Sequence, residues 1–100
     1  MRETTIDQLA AALDQGASVV DVREPAEFRE GHVPGAVNIP MGQLTARLGE
    51  IDRDRLVHVV CASGNRSSAM ADVLTANGFE AINVAGGTSA WVRSGLPIEK

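Results

Sequence analysis

Apolar residues along this chain follow two alternating spacings, one typical of helices and the other of buried strands. Apolar positions three and four residues apart predict helices at Ile6 to Gln15, Gln43 to Leu48 and Ser67 to Asn77. Short runs rich in β-branched residues predict strands at Ser18 to Val22, Ala36 to Ile39, Leu56 to Val60 and Ala81 to Val84. Shorter helices are expected at Ala26 to Glu30 and Thr88 to Arg93. Strands and helices therefore alternate.

Local signals mark where the predicted helices begin and end. Thr5 followed by Gln8 is a capping box at the start of the first helix, and Gly16 ends that helix. Gly78 has the position of the glycine that commonly follows a helix C-terminus. The apolar stripe expected to face the core in the preceding helix consists of Ala69, Met70, Val73 and Leu74.

The run from Leu56 to Val60 is almost continuously apolar, which indicates a strand buried on both faces and therefore central in a parallel sheet. Strands that alternate with helices form β-α-β units with right-handed crossovers. We expect an α/β fold in which a small, mainly parallel sheet carries helices on both faces. One domain is expected to take up residues 1–100.

Composition and charge exclude several classes of protein. A net charge of -4 argues against a nucleic-acid binder, which needs a basic face. A single cysteine cannot form an internal disulfide, which suits a reducing compartment. The apolar stretch from Leu9 to Leu13 is too short for an export signal, and no run approaches the roughly 20 apolar residues that span a bilayer. We expect a soluble, cytoplasmic protein with no nucleic-acid or membrane partner.

The segment with the clearest chemistry lies between the central strand and the longest helix. It consists of Cys61, Ala62, Ser63, Gly64, Asn65, Arg66 and Ser67. Ligands of open α/β sheets bind beyond the carboxyl ends of the strands, so the Cys61 thiol is expected to face a crevice that water reaches. Inward N–H groups at a helix start form an anion nest and lower the pKa of a thiol. Alternatively, Cys61 is an ordinary buried thiol.

Four segments together resemble the rhodanese family, over nearly the whole chain. They are Asp21 to Phe28, Gly31 to Pro40, Cys61 to Ser67, and Val84 to Gly87 with Trp91. The resemblance implies a sulfurtransferase in which Cys61 is the catalytic nucleophile. It also implies that no metal or organic cofactor is needed. The residues that it implies for substrate binding are Ala62, Ser63, Gly64, Asn65, Arg66 and Ser67.

The resemblance also implies the partners of the reaction. A small-molecule donor such as thiosulfate places a sulfur on Cys61 as a persulfide, and an acceptor then removes it. Cyanide, cellular thiols and thioredoxin-like proteins are the acceptors that the family suggests. Many thiosulfate-using members carry a basic residue just after the cysteine, where this chain has Ala62 and Ser63. The natural donor is therefore left open.

Two alternatives share the fold. In the cell-cycle phosphatases and arsenate reductases of this fold, five residues separate the cysteine from the arginine. That longer loop forms a larger cradle, which suits a tetrahedral oxyanion. Only four residues separate Cys61 from Arg66, which favours a sulfur atom as the ligand. The other alternative is a persulfide carrier or regulatory binding module with little turnover, although inactive relatives commonly lose the cysteine.

The remaining polar and aromatic side chains of interest are expected to support the site. Arg66 either binds the sulfonate of a donor or pairs with Glu24 or Glu27, since a guanidinium suits both tasks. Structural ion pairs are expected of Asp21, Arg23 and Glu27. Structural hydrogen bonds or packing are expected of His32, His58, Phe28 and Trp91. Gly86 and Gly87 are expected to shape the turn after the last strand.

Overall fold

The computed structural model of the chain describes residues 2–100. Its strands are β1 (Glu3–Thr4), β2 (Ser18–Asp21), β3 (Val37–Asn38), β4 (Val57–Val60) and β5 (Ala81–Val84). Its α-helices are α1 (Ile6–Leu13), α2 (Pro25–Glu30), α3 (Asn65–Ala76) and α4 (Gly87–Arg93). A 3₁₀ segment spans Met41–Glu50, with a kink at Arg47.

The five strands form one parallel sheet in the order β1-β5-β4-β2-β3. The strand β4 is central and all four of its residues are buried, as its continuous apolar run predicted. Beyond the carboxyl end of the β2–β4 pair, the Val22 N–H still donates to the Val60 carbonyl at 3.0 Å. This bond brings the chain after β2 beside the chain after β4.

Helices cover both faces of the sheet, and alternate strand residues divide between two apolar clusters. On one face, Val57 and Val59 pack with α3 and the 3₁₀ segment. On the other face, Val60 and Val84 pack with Leu9 of α1 and Trp91 of α4. Because the side chains of a strand alternate between its faces, Cys61 continues the Val57 and Val59 face and belongs to their cluster.

Most predicted elements are confirmed, and the differences have local causes. The capping box of Thr5 and Gln8 is present at the start of α1. The strand β1 was not predicted, because two residues are too short to show a pattern and form a strand only by pairing with β5. The 3₁₀ segment replaces the predicted helix at Gln43 to Leu48, because the few apolar residues of this stretch fit short 3₁₀ turns equally well.

The predicted core stripe of α3 is wrong at one position. Ala69 is exposed, whereas Ser67, Ala71 and Leu74 are the buried residues of the helix. Their spacing of four and three residues is that of a single helix face. Met70 and Val73 flank this face and are partly buried against the core. Among residues 2–100, no helix has the length and apolarity to cross a membrane.

Candidate active site

The loop from Cys61 to Ser67, called the cysteine loop below, turns back on its own sulfur. Cys61 directly follows β4, and α3 begins at Asn65 after Gly64. Gly64 has a φ of +107°, a backbone conformation that a residue with a Cβ adopts only with strain. In this conformation the Gly64 N–H donates to the Cys61 Sγ at 3.1 Å. The Ser67 hydroxyl lies 3.3 Å from the same sulfur.

Cys61 is buried, with an exposed fraction of 1%. The expectation that water reaches the thiol is therefore wrong for this conformation, because the loop covers the sulfur and apolar residues surround it. The inward direction of the backbone N–H groups agrees with the sequence analysis. Burial raises the pKa of Cys61, but the Ser67 hydroxyl and the N–H groups of Ser67, Gly64 and Ser63 outweigh it, so the pKa is lowered overall.

Arg66 connects the cysteine loop to α2 through an ion pair. Its guanidinium donates to both carboxylate oxygens of Glu27, at 2.8 and 3.0 Å. Of the two roles left open by the sequence, this conformation has the ion pair with Glu27. The hydrogen bond from Arg66 lowers the pKa of Glu27 to about 2. Glu27, and to a smaller extent the Cys61 thiolate, raise the pKa of Arg66 above its usual range.

A second ion pair orders the chain after β2, beside the cysteine loop. Asp21 accepts from the Arg23 guanidinium at 2.8 Å, and both side chains are buried. The same guanidinium donates to the Gly31 carbonyl at 2.9 Å. The structural ion pairs expected of Asp21, Arg23 and Glu27 are thus confirmed.

The turn from Ala85 to Gly87, called the glycine turn below, supports the cysteine loop from the neighbouring strand. The Thr88 N–H donates to the Cys61 carbonyl at 2.8 Å, and the Ser89 N–H donates to the Ala62 carbonyl at 2.9 Å. A Cβ on Gly87 would collide with these two carbonyl oxygens, so only glycine fits there. The expected role of the glycine pair in shaping this turn is confirmed.

A groove of about 430 Å³ borders the cysteine loop at Ala62. Its walls come from α2, α4 and the C-terminal segment, and they include Arg23, Gly31, Thr88, Val92 and Ile98. Ala62 is half-buried, while Ser63 and Asn65 are exposed. A substrate in this groove would therefore meet the exposed side of the loop and not the buried sulfur.

The other side chains singled out by the sequence have structural partners. His58 Nδ1 lies 3.1 Å from the Ser18 carbonyl, and His32 Nδ1 lies 2.8 Å from the Phe28 carbonyl. The rings of Phe28 and His32 stack with 3.6 Å between centroids. Buried Trp91 donates to the Pro97 carbonyl at 2.7 Å. Within residues 2–100, no cluster of three or more metal-ligating side chains is present.

Comparison with known proteins shows the family and the fold of this chain. Residues 5–94 match the family described as the Rhodanese-like domain. The chain belongs to the rhodanese family. A solved rhodanese-related protein from Thermoplasma volcanium has a TM-score of 0.93 and 32% identity, with 99% of this chain and 98% of that chain covered. The parallel sheet and the helices on its two faces are thus those of a rhodanese-like fold.

Two proteins with similar sequences are named as sulfurtransferases. A "Sulfurtransferase" of Allochromatium vinosum is 42% identical over 81 residues, which cover 80% of this chain and 76% of the relative. A "Thiosulfate sulfurtransferase GlpE" of Pseudomonas syringae pv. syringae is 36% identical over 86 residues, which cover 85% of this chain and 81% of the relative. Both names assign sulfur transfer to these similar proteins.

The structure also brings residues to the site that the sequence analysis did not name for it. Asn83 of β5 accepts a hydrogen bond from Ser67, and the Thr88 and Ser89 N–H groups hold the loop carbonyls. One signal could have identified Asn83. It is a polar residue inside a predicted strand, two positions from Ala81 and therefore on the same face.

Proposed function

We propose that this rhodanese-like chain transfers a sulfane sulfur from a donor such as thiosulfate to a thiophilic acceptor through a persulfide on Cys61. Cyanide and low-molecular-weight thiols are the proposed small acceptors, and a thioredoxin-like protein is the proposed macromolecular one. The family membership and the names of the two relatives support this proposal. The environment of the sulfur supports it independently.

The proposed reaction has two displacement steps. The Cys61 thiolate attacks the outer sulfur of thiosulfate, the S–S bond of the donor breaks, and sulfite leaves with the bonding electron pair. The persulfide anion then remains on Cys61. In the second step the acceptor attacks the outer sulfur, and the Cys61 thiolate leaves, so that cyanide becomes thiocyanate. Each step exchanges one bond to sulfur for another, and no further oxidant or reductant is required.

The observation that carries the proposal is the set of neutral donors around the Cys61 sulfur. The Gly64 N–H at 3.1 Å and the Ser67 hydroxyl at 3.3 Å can both donate to a negative sulfur. Arg66, a cation in the first turn of α3, is held by Glu27. Neutral donors in a dry site stabilise a singly charged thiolate or persulfide, as they do in an oxyanion hole.

The proposal is tested by intact-mass spectrometry after incubation with thiosulfate. We expect the wild-type chain to gain the mass of one sulfur atom and Cys61→Ser to gain none. Circular dichroism should show that the substitution leaves the fold unchanged. Addition of cyanide should remove the adduct and produce thiocyanate. A wild-type chain that gains no sulfur from thiosulfate, mercaptopyruvate or an organic persulfide would contradict the proposal.

Burial of the sulfur favours a second candidate, a persulfide carrier with slow turnover. Cys61 is 1% exposed, so the loop must open before a donor or acceptor reaches the sulfur. Single-turnover and steady-state rates distinguish the two candidates. A carrier forms the persulfide but releases it to cyanide slowly, whereas an efficient transferase completes both steps at similar rates.

The phosphatase alternative has little support in this geometry. A phosphate cradle needs a free guanidinium over the cysteine, but Arg66 makes two hydrogen bonds to Glu27. Hydrolysis of an aryl phosphate by the wild-type chain, and its loss in Cys61→Ser, would reverse this ranking.

A further inference from the structure

A chain of buried hydrogen bonds connects the Cys61 sulfur to the edge of the sheet. The Ser67 hydroxyl lies 3.3 Å from Cys61 Sγ and 2.5 Å from the side-chain oxygen of Asn83. The Asn83 side-chain NH₂ donates to the Glu3 carboxylate at 3.1 Å. Ser67 is 0% exposed and Asn83 is 1% exposed, so neither has water as an alternative partner.

The orientation of the Asn83 amide follows from its outer partner. A carboxylate only accepts hydrogen bonds, so the Asn83 NH₂ must face Glu3, and its oxygen must face Ser67. Glu3 and Asn83 are neighbours in the β1–β5 pairing, which places the carboxylate beside the amide. The exposed residue Glu3 therefore determines which atom Asn83 presents to the buried serine.

Ser67 has one hydroxyl proton and two competing acceptors. When Cys61 is a thiol, its S–H can donate to the Ser67 oxygen while the Ser67 proton remains on the Asn83 oxygen. When Cys61 is a thiolate, the sulfur also needs that proton. A donation to the sulfur leaves the buried Asn83 oxygen without its partner, which is unfavourable. Stabilisation of the thiolate and satisfaction of Asn83 therefore oppose each other.

We propose that Asn83, oriented by Glu3, is a positioning residue that competes with the Cys61 sulfur for the hydroxyl proton of Ser67. The consequence concerns both halves of the reaction. A less stabilised thiolate is a stronger nucleophile toward the donor but a poorer leaving group toward the acceptor. Asn83 thus favours the first step relative to the second. This inference rests on the proposed role of Cys61, but its test measures thiol ionisation and not sulfur transfer.

Within residues 2–100, the charged side chains that border the site have partners other than the sulfur. Arg66 of α3, whose charge interacts with the Cys61 thiolate, is paired with Glu27 of α2. Asp21 and Arg23, after β2, are paired with each other. Glu3 of β1 lies behind Asn83 and reaches the sulfur only through Asn83 and Ser67. A variant that changes the amide without changing charge therefore isolates the competition.

The test is the pH profile of Cys61 alkylation by iodoacetamide, with the full chain. Asn83→Leu keeps the approximate shape of the side chain and removes the competing oxygen. We expect the midpoint of the profile to fall by roughly half to one pH unit, the equivalent of one hydrogen bond. Ser67→Ala should raise the midpoint, because the sulfur loses a donor. In the Ser67→Ala background, Asn83→Leu should have no effect.

Variants of exposed Glu3 test the same competition without altering the core. Glu3→Ala releases the Asn83 amide, which can then turn its NH₂ toward Ser67, and the midpoint should fall as in Asn83→Leu. Glu3→Gln keeps an acceptor for the amide and should retain the wild-type midpoint, although it removes the same charge. Asp7→Ala is the control for loss of a surface carboxylate on α1.

Three results would overturn the inference. The first is a wild-type midpoint in both Asn83→Leu and Glu3→Ala. The second is a shift in Asn83→Leu that persists in the Ser67→Ala background, since it would then come from loosened packing. The third is an equal shift in Glu3→Gln and Glu3→Ala, which would indicate charge alone. Persulfide formation is measured separately, so a chain that never gains sulfur can still give any of these results.

Discussion

The cysteine loop and the glycine turn share one feature of backbone geometry, but the N–H groups near them donate to different acceptors. Each connects a central parallel strand to a helix through a glycine with positive φ, +107° at Gly64 and +80° at Gly86. In the cysteine loop, the Gly64 N–H donates to a side-chain sulfur. After the glycine turn, the N–H groups of Thr88 and Ser89 in α4 donate to the carbonyls of Cys61 and Ala62.

The difference shows how a loop of this size is kept in one conformation. A loop whose N–H groups point at a sulfur cannot use those groups to hold itself in place. The neighbouring turn supplies the missing bonds, and the Arg66–Glu27 pair supplies a second support from α2. The proposed chemistry therefore lies in the cysteine loop, and much of the rigidity of that loop comes from the glycine turn and α4.

The largest expected effect comes from disrupting the close packing of the glycine turn against the cysteine loop. Gly87→Ala places a Cβ against the carbonyl oxygens of Cys61 and Ala62, which belong to the backbone and cannot simply turn away. We expect a loss of roughly 2–4 kcal/mol in the free energy of unfolding, measured by urea denaturation. Gly95→Ala is the matched control, because Gly95 has a similar φ of +74° but open space around it. Equal losses in the two variants would contradict the role of close approach.

A smaller effect is expected when the second support of the cysteine loop is removed. The pKa of Glu27 is about 2 in the folded chain, below its ordinary value of 4.5. A lowered carboxyl pKa stabilises the fold above pH 4.5, and this contribution is lost as the pH falls toward 2. Glu27→Gln should therefore lower Tm at pH 7 by a few degrees at most, since the pair is about one-third exposed. The difference from wild type should shrink on acidification.

The same variant should also affect Cys61 if Arg66 braces the loop. We expect faster alkylation in Glu27→Gln, because a looser loop exposes the sulfur more often. Glu50→Gln breaks a comparable pair with Arg47, remote in sequence from the loop, and serves as the control. An alkylation rate that is unchanged in Glu27→Gln, or changed equally in Glu50→Gln, would show that the Arg66–Glu27 pair does not restrain the loop.

The smallest expected effect comes from adding a positive charge to the cysteine loop or, as a control, to the glycine turn. Ala62→Arg supplies the basic side chain that many thiosulfate-using relatives carry after the cysteine. We expect kcat/KM for thiosulfate to rise by about two- to fivefold, the size of an exposed charge interaction. Ala85→Arg adds the same charge to the exposed position in the glycine turn and should change little. A fall in Ala62→Arg would mean that the sulfonate does not approach this position.

How far the sequence predicted the fold depended on the length of each element. The strand β5 was predicted with its observed bounds, Ala81–Val84, and β4 was correctly made central from its apolar run. The edge strand β1 was missed, because two residues carry no periodicity of their own. Gln43 to Leu48 was predicted as a helix, but its few apolar residues fit short 3₁₀ turns equally well.

At the site, the local sequence predicted the conformation of the cysteine loop but not the residues that contact it. The order of Cys61, Gly64 and Ser67 was sufficient to predict a turn with inward N–H groups. Exposure of the sulfur was predicted wrongly, since it depends on how α3 and the 3₁₀ segment close over that face. The choice of Glu27 over Glu24 as the partner of Arg66 likewise required the position of α2.

The amino-acid sequence by itself determined the alternation of strands and helices, the placement of the only cysteine after the central strand, and membership of the rhodanese family. These properties follow from the order of residues over short stretches of chain. Only the tertiary structure decided that the sulfur is buried, that Arg66 is held by Glu27, and that Asn83 and Glu3 extend the hydrogen-bond chain from Ser67. Such contacts join residues up to 80 positions apart, and they exist only when the parallel strands bring those residues together.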